Sequence, residues 1–217
     1  MRLIVTTGPA WEPLDGMRRL TNASTGALGA LLADRFTEEG HQVILLRGKG
    51  STADRPRSEV EVVPFGTNDD LAAALEGLAN SERGLQMGAV FHAAALCDFR
   101  VCQVSDARGQ ALSRGKISSR LGRVLVELEP ATKVLPRLRS WFPHAWIVGW
   151  KYEIEGDRQT AMAAAARQTT EAGVDACVIN GPAWGDGFGL HQKSGSTRAC
   201  ADRWTLAELL VSELKAR

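Results

Sequence analysis

The chain has 217 residues, enough for one domain with a substantial buried core. Its 26 Lys and Arg nearly cancel 25 Asp and Glu, so nothing draws the whole molecule to nucleic acid or an anionic membrane, and any anion site has to be local. No apolar run reaches transmembrane length, and MRLIVTTGPA carries no secretory pattern. Cys97, Cys102, Cys177 and Cys200 show neither a CxxC pair nor a histidine at metal-ligand spacing, so the expectation is a cytoplasmic chain with reduced thiols and no metal site of its own.

Residues 2–5 are a short apolar run closed by Thr6-Thr7-Gly8-Pro9, a strand ending in a turn. Residues 10–21 have no steady period and carry Pro13, Gly16 and the pair Arg18-Arg19, which reads as loop. From Gly26 a helical period begins with Leu28, Leu31, Leu32 and Phe36, and it stops at Gly40. Residues 42–46 (QVILL) form a second strand, 48–57 a polar loop, 60–64 a third strand and 69–78 an alanine-rich helix. AVFHAAAL, 89–96, is nearly continuously apolar, as expected of a strand buried on both faces.

Residues 105–114 are polar, contain Gly109 and lack an apolar period, so a mobile loop is expected around 105–115. Beyond it come a strand at 124–128, a helix at 132–141, a buried strand at 145–150, an alanine-rich helix at 157–172 and a strand at 175–179. Residues 185–196 read as a turn-rich hairpin or loop, followed by a short strand at 198–201 and a closing helix at 204–216. This alternation predicts a single α/β domain over 1–217, a doubly wound, mostly parallel Rossmann-like sheet with helices on both faces. Ligands bind such sheets beyond the C-terminal ends of the strands, which puts Thr7-Gly8, 95–98, Trp150-Lys151 and Asn180 along one edge.

Several residues there could carry chemistry. Leu20 to Gly29, LTNASTGALG, opens a helix with small residues and hydroxyls. Its free N–H groups, with Ser24 and Thr25, suit a phosphate, and Asn22 suits a carbonyl or acyl phosphate. The alternative is an ordinary cap by Ser24 or Thr25, with Gly26 and Gly29 permitting close packing. Asp98 ends the buried run and suits a ribose hydroxyl or Mg²⁺, or else shapes a turn. Lys116, in RGKISSR, suits charge developing at an α-phosphate, or is a surface lysine. Lys151 emerges from the buried AWIVGW strand as a phosphate contact or a snorkelling side chain. Asn180 reads a polar edge or shapes the turn at Gly181-Pro182. His41, His92, His144 and His191 form no HxH or HExxH spacing and read as structural or surface residues. No catalytic Ser-His-Asp arrangement, phosphate loop of the GxxxxGK type or GxGxxG is present.

Five stretches in register give these residues a shared context. TTGPAWEPLDGMRRLTNASTGALGALLADRFTEEGHQV, HAAALCDF, GKISS, ATKVLPRL and VGWKYE together resemble the phosphopantothenoylcysteine synthetase (phosphopantothenate–cysteine ligase) family, stand-alone bacterial type, over Arg2 to about Asn180. The resemblance implies activation of the 4′-phosphopantothenate carboxylate by CTP or ATP with Mg²⁺. Pyrophosphate leaves, and the cysteine amine attacks the acyl nucleotidylate, a step of coenzyme A biosynthesis. It implies Lys116 at the α-phosphate and Asn22 on the acyl carbonyl as catalytic residues. Ser24, Gly26, Gly29 and Asn180 would hold phosphopantothenate, and Gly8, Ala94, Asp98 and Trp150 would line the nucleotide, with Lys151 beside it. A homodimer is implied as well. The chain departs from the family at Ala27, usually a cation, at Ala23, usually bulky, at Trp150, usually phenylalanine, and at Glu171, near which the family has lysines. Those departures motivate two alternatives. One is a nucleotide- or acyl-phosphate-binding paralogue that does not ligate; the other is an NAD(P)-dependent reductase, against which the missing GxGxxG argues.

Overall fold

The computed structural model describes residues 1–113 and 115–217. Arg114, inside the segment expected to be a mobile loop, lies outside the described residues. The chain opens with β1 (Arg2–Thr7), a small hairpin of β2 (Trp11–Pro13) and β3 (Arg19–Thr21), and α1 (Ala27–Glu38). There follow β4 (Gln42–Gly48), β5 (Glu61–Phe65), α2 (Asn68–Ala79) and β6 (Met87–His92). An excursion of β7 (Phe99–Asp106) and β8 (Val124–Pro130) precedes α3 (Leu138–Trp141), β9 (Trp146–Tyr152) and α4 (Arg158–Glu171). The chain closes with β10 (Ala176–Asn180), β11 (Phe188–Gln192), β12 (Thr197–Cys200) and α5 (Arg203–Lys215).

Among the described residues the main sheet has eight strands in the order β12-β11-β10-β9-β6-β1-β4-β5. Pairs from β10 to β5 are parallel, and β11 and β12 close one edge antiparallel. The order reverses at β1, flanked by β4 on one side and β6 on the other, and ligand crevices form at such a switch. The expected doubly wound, mostly parallel sheet is therefore present.

Strand periodicity explains the two layers of helices. Leu3, Val5, Phe91, Val148 and Val178 point to one face and pack with Leu32 and Phe36 of α1 and Leu206 and Leu210 of α5. One residue along, Ile4, Ile44, Val90 and Ile147 point to the other face and meet Leu71 and Leu75 of α2 and Leu138 of α3. Cys177 and Ile179 on that second face meet Ala161 and Ala165 of α4, whose small side chains bring the helix close to β10. A fully buried Leu or Phe contributes about 1.5–3 kcal/mol, so these two layers supply most of the stabilisation.

Three stretches differ from the sequence expectation. Residues 10–21 are not plain loop: β2 and β3 pair antiparallel, Trp11 opposite Thr21, in strands too short to display a period. The whole of β7 escapes the pattern because its register shifts between Val101 and Gln103, so its buried valines, Val101 and Val104, lie three apart instead of two. Residues 105–106 accordingly finish a strand. Asp106 then organises a turn, accepting from the amides of Arg108 (2.8 Å) and Gln110 (3.0 Å). Finally, 132–141 is helical only from a 3₁₀ turn at Leu135–Arg137 onward, where Pro136 occupies a first-turn position.

Candidate active site

Two loops leave adjacent strands and interlock. After β1, Gly8 and Gly26 both adopt φ +79°, which a side chain would strain, and an added Cβ on either would run into Ser51. Thr7 Oγ1 donates to the Gly26 carbonyl at 3.1 Å, tying the start of α1 to the end of β1. Gly26 itself is the N-cap and offers no side chain, while Thr25 Oγ1 accepts from the Ala27 amide at 3.3 Å. The first turn of α1 is thus left without a full side-chain cap, unlike α2 and α5, which both have capping boxes. Gly29 backs directly onto Thr7, where an added Cβ would collide, so it sets the close approach of helix and strand. Arg47, at the end of β4 in register with Thr7, donates to Ala53 O, and the Ala53 amide donates to Thr25 O at 3.0 Å. Arg47 Nε and Ser51 Oγ are buried without a hydrogen-bond partner.

After β6, residues 93–97 run beside that loop. The amides of Ala93 and Ala95 donate to Thr6 O and Gly8 O, at 3.1 and 3.0 Å. Asn22 Nδ2 donates to Leu96 O at 2.7 Å, so the exposed asparagine bridges the two loops. Asn68, at the start of α2, holds the same segment through Cys97 O (2.8 Å), the Cys97 amide (3.1 Å) and Thr132 O (2.9 Å).

On the α4 side of this segment lies a cleft of about 430 Å³. Its walls include Ala94, Asp98, Trp150 and Lys151, four of the residues expected at a nucleotide. They also include His92, Asn68, Lys133, Arg167 and Glu171, which were not among the expected site residues. Lys133 pairs with Asp98, and Lys151 pairs with Glu153 at 3.1 Å. Trp150 packs its indole against the core layer of α1 and α5, and its Nε1 is buried without a partner. Gln168 Nε2 reaches Trp150 O at 3.4 Å. The histidine's state follows from its neighbours. Thr6 Oγ1 accepts from the Ala94 amide at 3.2 Å and shares a hydrogen bond with His92 Nδ1 at 2.8 Å, so the ring is tied to the end of β1. Burial pushes the His92 pKa down to about 4, and the ring is neutral at physiological pH.

The remaining expected residues lie outside the cleft walls. Asn180 ends β10, and its carbonyl accepts from the Glu153 amide at 2.9 Å. Lys116 is exposed on the segment between β7 and β8. Its neighbours are held: Gly115 O accepts from the Gly16 amide at 3.3 Å, and the Ile117 amide donates to Asp15 Oδ2 at 3.2 Å. Lys133 was visible in ATKVLPRL and Arg167 in RQTTEAG. Neither has a local signal that separates a cleft cation from a surface one. Among the described residues, no group of three or more His, Cys, Asp or Glu is arranged to hold a metal ion.

A doubly wound sheet with a polar cleft and an exposed helix start at its carboxyl edge defines the class: an α/β domain built to bind small polar ligands. Residues 1–204 match the DNA/pantothenate metabolism flavoprotein C-terminal domain, and the chain belongs to that family. It is 33% identical over 180 residues to the coenzyme A biosynthesis bifunctional protein CoaBC of Thermococcus kodakarensis, covering 82% of this chain and 41% of that protein. Against the CoaBC of Bacillus subtilis the identity is 28% over 153 residues, covering 70% and 34%. The chain therefore spans less than half the length of these relatives. Among solved structures, the DNA/pantothenate metabolism flavoprotein of Streptococcus pneumoniae matches with a TM-score of 0.86 at 20% identity, covering 100% of this chain and 99% of that one. A Cab2 variant in complex with phosphopantothenate-cysteine matches at 0.76 and 20%, covering 100% and 85%. At such identities the likeness concerns the fold.

Proposed function

We propose that this chain is a phosphopantothenate–cysteine ligase of coenzyme A biosynthesis, using CTP or ATP. The observation that carries the reading is the bond from Asn22 to Leu96 O, which joins the motif loop before α1 to the motif loop after β6 beside the cleft. A nucleotide in the cleft would meet Ala94, Asp98, Trp150 and Lys151, and would have to extend past the cleft wall to reach Gly8, with Lys133 and Arg167 adding positive charge that offsets Glu171. Phosphopantothenate would lie toward Ser24, Gly26, Gly29 and Asn180, its phosphate at the α1 start, where Arg47 makes up for the cation missing at Ala27. The carboxylate oxygen attacks the α-phosphorus, the bond to the pyrophosphate oxygen breaks, and Lys116 neutralises the charge that develops. The cysteine amine then attacks the acyl carbon, which Asn22 holds by its oxygen, and the nucleoside monophosphate leaves as the amide forms. Mg²⁺ bound to the triphosphate asks for only one or two protein carboxylates, which Asp98 and Glu171 can provide, and it would neutralise the leaving pyrophosphate. The reading includes a cytoplasmic homodimer.

Mass spectrometry of reactions with phosphopantothenate, cysteine, Mg²⁺ and either CTP or ATP tests it. The expected products are phosphopantothenoylcysteine, pyrophosphate and the nucleoside monophosphate. Lys116→Ala should lower pyrophosphate release by about 10²-fold or more, the scale of losing one preorganised charge contact. Absence of pyrophosphate with either nucleotide would sink the reading. Ala27 and Glu171 favour a second reading, a paralogue that binds nucleotide without ligating. Tight binding by calorimetry with no turnover would select it.

A further inference from the structure

Asp15 is a buried charged group that the reaction above does not use. Its side chain is 0% exposed, and its oxygens are crowded with donors. Oδ1 accepts from the amides of Met17 (2.9 Å) and Arg18 (2.7 Å), while Oδ2 accepts from Arg18 Nε (2.9 Å) and Nη2 (2.5 Å). The Arg18 guanidinium and these amides hold the carboxyl well below the usual carboxylate range. A turn between two three-residue strands needs no more than this.

Two further bonds leave the turn. The Ile117 amide donates to Asp15 Oδ2 at 3.2 Å, and Arg18 Nη2 donates to Ile117 O at 2.6 Å, across about a hundred residues of sequence. One ion pair thus binds both polar groups of a single residue, the one that follows Lys116. On the other side of Lys116, Gly115 O takes the Gly16 amide. The Ile117 side chain completes the grip, 7% exposed among Leu14, Leu112, Val101, Val104 and Val124. The hairpin that carries Asp15 and Arg18 runs through β3 and ends at Thr21, immediately before Asn22.

We propose that Asp15 and Arg18 are positioning residues, an ion pair between a buried carboxylate and a half-exposed guanidinium that grips the peptide beside Lys116 and fixes that lysine's Cα relative to Asn22. Only the lysine side chain then has to move to reach the reacting phosphate, and the ordering cost is met in folding rather than in the reaction. The proposal rests on the ligase reading for the role of Lys116; the grip itself does not.

Two measurements separate these parts. Amide hydrogen exchange on the unmodified protein should show Ile117 protected and Lys116 not, with the Ile117 protection lost in Asp15→Asn. An unprotected Ile117 in the unmodified protein overturns the grip, whatever the enzyme does. For function, Asp15→Asn should lower kcat for pyrophosphate release about 10- to 100-fold, the cost of misplacing a group by roughly 1 Å, with KM for both substrates within about threefold. Attack of cysteine on preformed acyl nucleotidylate should be unchanged. Arg18→Lys, which keeps the charge but loses the fork, should show the same split if Asp15→Asn does not fold. Wild-type kcat in a folded variant, or equal losses in both half-reactions, overturns the positioning role. An unmodified protein that releases no pyrophosphate defeats the ligase reading instead, and leaves the exchange result standing.

Discussion

His92 sits where the core strand β6 meets the cleft, and its surroundings make it a pH-dependent cost. The unfolded chain protonates it near 6.5 and the folded protein only near 4, because burial excludes the charge. Between those values the unfolded state binds more protons, so stability falls as pH drops from about 6.5 toward 4 and then levels. The whole window is worth roughly 3 kcal/mol. Urea unfolding at pH 7.5 and pH 4.5 should show a loss that shrinks by about 2–3 kcal/mol in His92→Gln. An equal loss in both proteins would show that His92 does not titrate in this way. At the same scale, Lys133 with Asp98 is an exposed pair that adds little stability, while Lys151 with Glu153 is half-buried.

At the scale of elements, the ribbon of β7 and β8 stands out from the main sheet. It forms its own two-stranded sheet, and an isolated pair of strands is marginal in water. One part is covered by Ile117 and Leu112, yet Phe99, Leu125 and Leu128 are 55%, 47% and 45% exposed. Exposed apolar residues beside an unpaired strand edge invite another strand. In the proposed homodimer a second copy of this chain would supply that strand, a self-complementary contact about a two-fold axis. Leu125→Glu with Leu128→Glu is therefore expected to halve the mass seen by sedimentation velocity while leaving the circular dichroism of the main sheet unchanged. A wild-type protein that already sediments as a monomer would remove the homodimer from the proposal.

For the whole molecule, the sheet separates two polar environments around one bridge. The cleft beyond β6 and β9 carries Lys133, Lys151 and Arg167 against Asp98 and Glu171, whereas the α1 start is built from backbone amides with Arg47 nearby. Binding to the folded state at a hundred times Kd raises stability by about 2.7 kcal/mol, enough to move a melting temperature by several degrees. Thermal unfolding with CTP and with ATP, each with Mg²⁺, should rise with at least one of them, and Lys133→Ala should reduce that shift. No shift with either nucleotide at millimolar concentration would count against a nucleotide cleft. Among the described residues, no helix is long and apolar enough to cross a membrane.

Local pattern was enough to find most of the sheet and all the long helices. The continuous apolar runs of β1, β4, β6, β9 and β10 and the 3.6-residue period of α1 are local signals, set by residues near one another in the chain. The motif loops could be read for the same reason, since glycines and small residues at Gly8 and Gly26 answer a local conformational demand. The bulge in β7 was not readable, because which residues it buries depends on β8 and Ile117 rather than on its own spacing. Lys133 stood in one of the resemblance stretches without a role, and Arg167 looked like any surface cation, until strand order put both on one cleft. Asp15 gave no sign in PLDG that it would hold Ile117, a residue about a hundred positions away. Sequence by itself determined the repeating elements and the chemistry available at the loops. Tertiary structure alone decided which of those groups meet, because contacts between distant segments depend on how the whole sheet packs.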